Sequence, residues 1–181
     1  MLGACNRDHG YTDRARSGQI PSWDWVLRHE RRQGRPRGIN LAMGFEPIRL
    51  LVVDDHSFVR ATLVDLFAGT DDIVVVGECA DGMQVLPAVA ATHPDVVLMD
   101  VDMPRVDGVE ATRALLEFQP DARVLMLTGT ISAACIREVH SLGAKGYLLK
   151  GDDPYELIER VREVAAGGTA WGSSVAKYLS A

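Results

Sequence analysis

Acidic side chains follow two apolar runs of the sequence, at the point where each run ends. Residues 50–53 are followed by Asp54 and Asp55, and residues 96–99 are followed by Asp100. Apolar runs of this length are typical of strands covered on both faces, so we expect the three carboxylates at one edge of a parallel sheet. Taken alone, Asp100 could be a metal ligand, a catalytic base or a cap, and we take it as the centre of the chemistry.

Carboxylates crowded at a sheet edge repel one another, and partly desolvated anions are costly unless they are protonated, paired or bound to a cation. A hard divalent cation would resolve this conflict, because Mg²⁺ takes oxygen ligands and leaves positions for water and phosphate oxygens. One carboxylate could then act as a nucleophile toward phosphorus and form an acyl phosphate. No cluster of His and Cys accompanies the acids in the sequence, which disfavours zinc or copper.

Two further residues at expected strand ends would bring a hydroxyl and a positive charge to the same edge. Residues 124–127 precede Thr128, and residues 147–149 precede Lys150. A transferred phosphoryl group needs positive charge and hydrogen-bond donors around it. Each residue alone has a simpler explanation, with Lys150 pairing with an acid and Thr128 capping a loop. Their occurrence together at successive strand ends favours phosphoryl chemistry.

The elements that must position these residues alternate between strand and helix. Strands are expected over residues 48–53, 73–76, 95–99, 123–127 and 145–149, each followed by an amphipathic helix. Asp107 and Asp153 are expected to cap the third and fifth helices and Gly143 to end the fourth, while Pro87 should kink or delay the second. Five such units predict an α/β fold, a doubly wound five-stranded parallel sheet with helices on both faces. Ligands bind such sheets at the carboxyl ends of the strands.

The first 43 residues differ in composition from the rest of the chain. They contain eight Arg and four acidic residues, a local charge of +4 in a chain of net charge −6, and they show no sustained hydrophobic period. We expect residues 1–43 to be a disordered, Arg-rich N-terminal extension. No apolar run is long enough to span a bilayer and no secretory signal is visible, so a cytoplasmic protein without a membrane partner is expected.

The motifs together resemble the receiver domains of bacterial two-component response regulators. The resemblance runs over residues 48–167 and rests on an ordered set: LVVDDH at 51–56, LMDVDMP at 98–104, DG at 107–108, LMLT at 125–128 and GAKGYLLK at 143–150. It implies a flavodoxin-like sheet with the strand order 2-1-3-4-5. The receiver domain would span residues 44–168.

Transferred to this sequence, the resemblance implies that Asp100 accepts a phosphoryl group and that Mg²⁺ is the cofactor. Asp55 and Asp100 would bind the cation directly. The backbone carbonyl of Asp102 would be a further ligand, and Asp54 would help through water.

The resemblance also implies roles around the phosphoryl group. Lys150 would contact that group, and Thr128 would swing to hydrogen-bond it. Tyr147 looks like the aromatic switch that turns inward when Thr128 moves, although a strand-end residue with a wet hydroxyl is the alternative. His56 resembles a loop residue of the family rather than a phosphodonor. The remaining histidines of the sheet-forming region, at positions 93 and 140, are expected at a helix end and on the surface.

The family also implies partners. A cognate sensor histidine kinase would donate the phosphoryl group, and a homodimer would form on phosphorylation. The motif GYLLK at 146–150 and the glycines at 167–168 look most like the NarL/FixJ (LuxR-type) branch, whose members usually continue into a helix-turn-helix domain. Residues 169–181 are expected to be a linker segment, so DNA is an expected partner only if such a domain follows beyond this chain.

The expected function is a phosphorylation switch with transcriptional output, limited as an enzyme to self-phosphorylation and slow autodephosphorylation. A Mg²⁺-dependent phosphohydrolase of the haloacid-dehalogenase type is one alternative, because the spacing of Asp100 and Asp102 mimics its paired aspartates. Against it, the pair follows the third strand, Pro104 stands where a hydroxyl is expected, and no cap segment is available. A phosphate-independent interaction module is the other alternative, but it would not need the acidic cluster.

Overall fold

The computed structural model describes residues 46–179, and the Arg-rich extension predicted for residues 1–43 lies outside them. The described chain alternates strand and helix, with a single-turn 3-10 helix at Gly82–Gln84. Its elements are β1 (Ile48–Val53), α1 (Ser57–Ala68), β2 (Ile73–Cys79), α2 (Val85–Thr92), β3 (Val96–Asp100), α3 (Gly108–Phe118), β4 (Val124–Thr128), α4 (Ala133–Leu142), β5 (Gly146–Leu149), α5 (Pro154–Ala165), β6 (Ala170–Trp171) and α6 (Ser173–Ala176).

All strand pairs of the sheet are parallel, in the order β2-β1-β3-β4-β5-β6. The predicted order of the first five strands is confirmed, and the prediction of only five strands is wrong. The sixth strand is two residues long, too short to show a periodic pattern. It pairs with β5 at a close approach, because a Cβ on Gly146 would lie 2.2 Å from the carbonyl oxygen of Ala170. The segment expected as a linker therefore includes both β6 and α6.

Helix ends follow the sequence signals. Asp107 and Asp153 accept hydrogen bonds from the backbone amides of Glu110 and Tyr155, at 2.8 and 2.9 Å, which confirms the two predicted caps. Gly143 ends α4 in the left-handed region with φ of 101°. Pro87 delays its helix as expected, because the 3-10 turn comes first and the proline falls in the first turn of α2, where no backbone donor is needed.

Apolar side chains fill both faces of the sheet. One cluster joins the sheet to α2, α3 and α4, and the other joins it to α1 and α5. Strands β3 and β4 are buried at every residue, as expected for central strands covered on both sides. Within the described part of the chain, no helix combines the length and apolar character needed to cross a membrane.

Candidate functional site

Three carboxylates meet where β1 and β3 end. Asp54 and Asp100 are 1% and 2% exposed, and Asp55 is half-buried. One side-chain ligand atom from each of these acids and from His56 lies within 4.8 Å of the others. The sequence prediction that topology brings the acids together is thus confirmed in position, since adjacent parallel strands end at the same edge.

Lys150, the residue after β5, connects two of these acids. Its Nζ lies 2.6 Å from Oδ2 of Asp54 and 2.8 Å from Oδ2 of Asp100. Its backbone amide donates to the carbonyl oxygen of Thr128 at 2.7 Å, which ties the end of β5 to the end of β4. One ammonium therefore pairs with two buried carboxylates, and the cluster keeps an excess of negative charge.

Burial and charge alter the acid–base behaviour of the central pair. Desolvation raises the pKa of Asp100 above its ordinary value, and the nearby charge of Asp54 acts in the same direction, while Lys150 opposes both. Desolvation acts to lower the pKa of Lys150, but its hydrogen bonds to Asp100 and Asp54 outweigh that effect and leave the pKa raised. The lysine is therefore a fixed cation between the two acids.

The donor set fits Mg²⁺. Oδ1 of Asp100 is buried and no charged side chain among the described residues pairs with it, so it is available to a cation or to phosphorus. An open cleft of about 260 Å³ adjoins it, lined by His56, Val59, Asp100, Asp102, Gly129 and Lys150. Hard carboxylate oxygens beside a water-accessible cleft are what Mg²⁺ requires, because it retains several waters.

His56 lies closer to the acids than its prediction as a loop residue implied. Its Nδ1 is 2.6 Å from Oδ1 of Asp55 and 3.5 Å from Oδ1 of Asp54. Its backbone amide also donates to Oδ1 of Asp54 at 2.8 Å. Adjacency to the acid pair was the only available signal, and adjacency does not fix a side-chain rotamer. The imidazole lies on the solvent side of the acids, with 65% of its side chain exposed.

Two further features shape the edge around Asp100. The side chain of Asp102 is exposed and lines the cleft. Gly108, at the start of α3, packs directly against the backbone of Asp100, and a Cβ there would lie 1.9 Å from that residue's carbonyl oxygen. The sequence suggested only a helix start at this glycine. Its second role is to let α3 approach β3 closely, and no local sequence pattern predicts such a tertiary contact.

Thr128 ends β4, and Tyr147 lies on the neighbouring strand β5, three residues before Lys150. Both are fully buried. The hydroxyl of Thr128 accepts from the amide of Thr130 at 3.3 Å, and the hydroxyl of Tyr147 donates to the carbonyl oxygen of Thr130 at 3.2 Å. Burial raises the pKa of Tyr147, so its hydroxyl remains protonated. The burial of Tyr147 disagrees with the alternative of a solvent-exposed hydroxyl. The hydroxyls of Thr128 and Tyr147 both hydrogen-bond to the backbone of Thr130, in the loop after β4.

The other histidines lie away from the acids. His93 ends α2 in a left-handed conformation with φ of 44°. His140, exposed on α4, stacks edge-on against Trp171 with ring centroids 5.0 Å apart. Neither belongs to the acidic cluster, in agreement with the sequence expectation.

Known proteins resemble this chain over the same region. The family described as "Response regulator receiver domain" matches residues 50–162. The transcriptional regulatory protein DegU of Brevibacillus brevis is 40% identical over 121 residues, which are 67% of this chain and 51% of that protein. The response regulator GacA of Pseudomonas aeruginosa is 38% identical over 133 residues, 74% of this chain and 62% of that protein. The chain thus spans about half to three-fifths of the length of these relatives.

A solved structure shows the same likeness in three dimensions. The crystal structure of a LuxR-family two-component response regulator from Aurantimonas sp. SI85-9A1 superposes with a TM-score of 0.71 at 32% identity. The similarity covers 75% of this chain and 96% of that one. The family match at residues 50–162 includes all of Asp54, Asp55, Asp100, Thr128 and Lys150.

Proposed function

Because this chain belongs to the response regulator receiver domain family, we propose that it is a phosphorylation switch of a two-component system whose phosphoacceptor is Asp100. The observation that carries the proposal is the buried Oδ1 of Asp100 beside the cleft, which no charged side chain among the described residues pairs with, while Lys150 holds the other oxygen. A carboxylate held in this way presents one oxygen for attack while the opposite oxygen is fixed.

Mg²⁺ is the cofactor in this proposal. Asp55 and Asp100 would hold it with the backbone carbonyl of Asp102, and Asp54 would act through water. When bound, the cation supplies positive charge to the phosphoryl oxygens and offsets the excess negative charge of the three acids.

The transfer step uses Asp100 as the nucleophile. Its Oδ1 attacks the phosphorus of a phosphohistidine on the kinase, the new O–P bond forms as the P–N bond breaks, and the departing imidazole keeps the electron pair and takes up a proton. The product is an acyl phosphate. Lys150 stays beside the carboxylate and stabilises the added charge at no cost of reorganisation, because it already lies 2.8 Å away.

The signal passes from the phosphoryl group to the face formed by α4 and β5. Thr128 would turn its hydroxyl from Thr130 toward the phosphoryl oxygens, and Tyr147, bonded to the same loop residue, would follow. The added charge thereby changes the balance between two arrangements of the loop after β4.

Partners and output follow from the same proposal. A sensor histidine kinase is the donor, a homodimer forms on phosphorylation, and the protein works in the cytoplasm. DNA is a target only through a helix-turn-helix domain beyond this chain, and the output would then be transcriptional. Turnover is confined to accepting phosphate and slowly releasing it to water.

Phosphorylation by a small donor tests the proposal. The full chain is incubated with acetyl phosphate and Mg²⁺, and the product is measured by intact-mass spectrometry. We expect a single phosphoryl adduct in the wild type, none in Asp100→Asn, and a normal adduct in Asp121→Asn, a matched exposed acid in the loop before β4. A stoichiometric acid-labile adduct on Asp100→Asn would refute the assignment. Multiple turnover of p-nitrophenyl phosphate would favour the phosphohydrolase instead.

A further inference from the structure

An ion pair outside the acidic cluster fixes the loop that carries Asp102. The β3–α3 loop, residues 101–107, contains Arg105, whose Nε donates to Oδ2 of Asp81 at 2.8 Å. The other carboxylate oxygen of Asp81 accepts from the backbone amide of Met83 at 2.9 Å and caps the turn before α2. The two partners are 24 residues apart in sequence, so the ion pair connects the loop to a separate element of the fold.

The two partners differ strongly in exposure. Asp81 is 1% exposed, whereas 70% of the Arg105 side chain is exposed. A buried carboxylate is stable when both its oxygens are hydrogen-bonded and its charge is paired, and Asp81 meets both conditions only with Arg105 in place. The loss of Arg105 would therefore leave a buried carboxylate with only the amide of Met83 as a partner, which costs more than the loss of a fully exposed ion pair.

The backbone of Arg105 is held in an unusual conformation. Its φ is 69°, in the left-handed region that favours glycine, and only His93 shares a positive φ among the described non-glycine residues. A side chain in this region costs free energy, and such strain persists only where surrounding contacts require it. An arginine at this position therefore indicates that the contacts of its side chain stabilise the fold by more than the left-handed backbone conformation costs.

A second contact holds the same loop on the same turn. Gly82 follows Asp81, and a Cβ on Gly82 would lie 2.6 Å from the carbonyl oxygen of Val106. Met103, within the loop, is 8% exposed and packs into the core. The loop is thus anchored on both sides of Pro104, immediately after the residue proposed to offer its carbonyl to Mg²⁺.

We propose that Arg105 and Asp81 form a positioning clamp, which holds the β3–α3 loop so that the backbone of Asp102 is preorganised for the cation. This inference rests on the proposed Mg²⁺ site. The clamp residues do not touch the cation, and they act through the loop backbone, as partners of ligands do at other metal sites.

The affinity of the chain for Mg²⁺ tests whether the clamp positions the β3–α3 loop for the cation. Calorimetric titration of the full chain with MgCl₂ should give saturable binding to the wild type and an affinity about tenfold weaker in Arg105→Gly, which tolerates the backbone conformation but lacks the guanidinium. Arg105→Lys should recover part of the loss. Arg113→Ala, which removes an exposed arginine paired with Glu138, should bind as the wild type does.

A second variant separates positioning from loss of fold. Asp81→Asn keeps an acceptor for the amide of Met83 but removes the charge, and it should weaken Mg²⁺ binding by a similar factor. The double variant should bind no more weakly than either single variant, since both changes break one coupling. The amide resonance of Asp102 in metal-free protein should shift in each clamp variant and stay unchanged in Arg113→Ala.

The possible outcomes separate a failure of the clamp from a failure of the proposed phosphorylation function. Equal affinities in the wild type and in folded Arg105→Gly and Asp81→Asn would overturn the clamp and leave the phosphoacceptor assignment in place. Additive losses in the double variant would also overturn it. A wild-type chain without saturable Mg²⁺ binding would overturn the metal site and the clamp together, and that result is visible before any variant is made.

Discussion

Lys150 carries the electrostatic balance of the site at the scale of one residue. Replacing it by Met leaves Asp54 and Asp100 buried and adjacent without the ammonium that pairs with both, and each carboxylate then raises the cost of the other's charge. In metal-free buffer we expect Lys150→Met to lower the free energy of unfolding by about 1–3 kcal/mol. Millimolar Mg²⁺ should restore part of that loss, because the cation replaces the missing positive charge.

Urea unfolding with and without Mg²⁺ measures both effects. Adding Asp54→Asn to Lys150→Met removes one of the repelling carboxylates and should recover stability without metal. An equal loss at all Mg²⁺ concentrations would show that Lys150 stabilises the fold by packing and not by balancing charge.

The sequence allowed the positions of these residues to be predicted, but not their contacts. Asp54, Asp100 and Lys150 were placed at one edge because topology alone brings neighbouring strand ends together. That one ammonium bridges both acids depends on rotamers. The same holds for the imidazole of His56 on Asp55, since no pattern encodes which way a side chain turns. The pairing of Arg105 with Asp81 was missed for a further reason, because it crosses 24 residues between two loops.

At the scale of elements, the approach of α3 to β3 decides how well Asp100 is placed. Gly108→Ala would put a methyl group 1.9 Å from the carbonyl oxygen of Asp100, so helix and strand must separate. We expect a loss of about 1–3 kcal/mol in unfolding free energy, as for other overpacked contacts. Acetyl phosphate should also label the variant more slowly, because the moved backbone carries the phosphoacceptor.

The control for this substitution is Gly151→Ala, since a Cβ at Gly151 meets nothing within 4 Å. Its free energy of unfolding, measured by urea denaturation, should stay within about 0.5 kcal/mol of the wild-type value. If Gly108→Ala also left stability and labelling unchanged, α3 would not be positioning the strand end.

Helix ends were predictable where a single residue makes the end. Asp107 and Asp153 are caps because a carboxylate before a helix accepts a backbone amide whatever the fold, and Gly143 adopts a conformation that other residues avoid. β6 was not predictable in the same way. Its two residues form a strand only because the edge of β5 lies beside them and Gly146 leaves room.

At the scale of the whole molecule, the question is where the folded unit ends. The sequence placed the domain limit at residue 168, yet Ala170 and Val175 beyond it are both fully buried. The amide of Ala170 donates to the carbonyl oxygen of Lys145 at 2.7 Å, so the segment closes the sheet next to the strand that leads to Lys150. A domain boundary predicted from hydrophobic periodicity alone misses such a segment, because only isolated side chains of the segment pack into the core.

A chain shortened to residues 1–168 tests how far the fold extends. Removing the segment uncovers the β5 edge and the apolar surface under Val175, and burying one such side chain contributes about 1.5–3 kcal/mol. We expect the free energy of unfolding, measured by urea denaturation, to be lower in the shortened chain than in the full chain by at least that amount. Val175→Ala should give part of the loss, and Ser173→Ala, an exposed position on the same short helix, should give none. Equal stability of the two chains would show that residues 169–181 are the linker that the sequence suggested, and that the fold does not depend on a strand beyond β5.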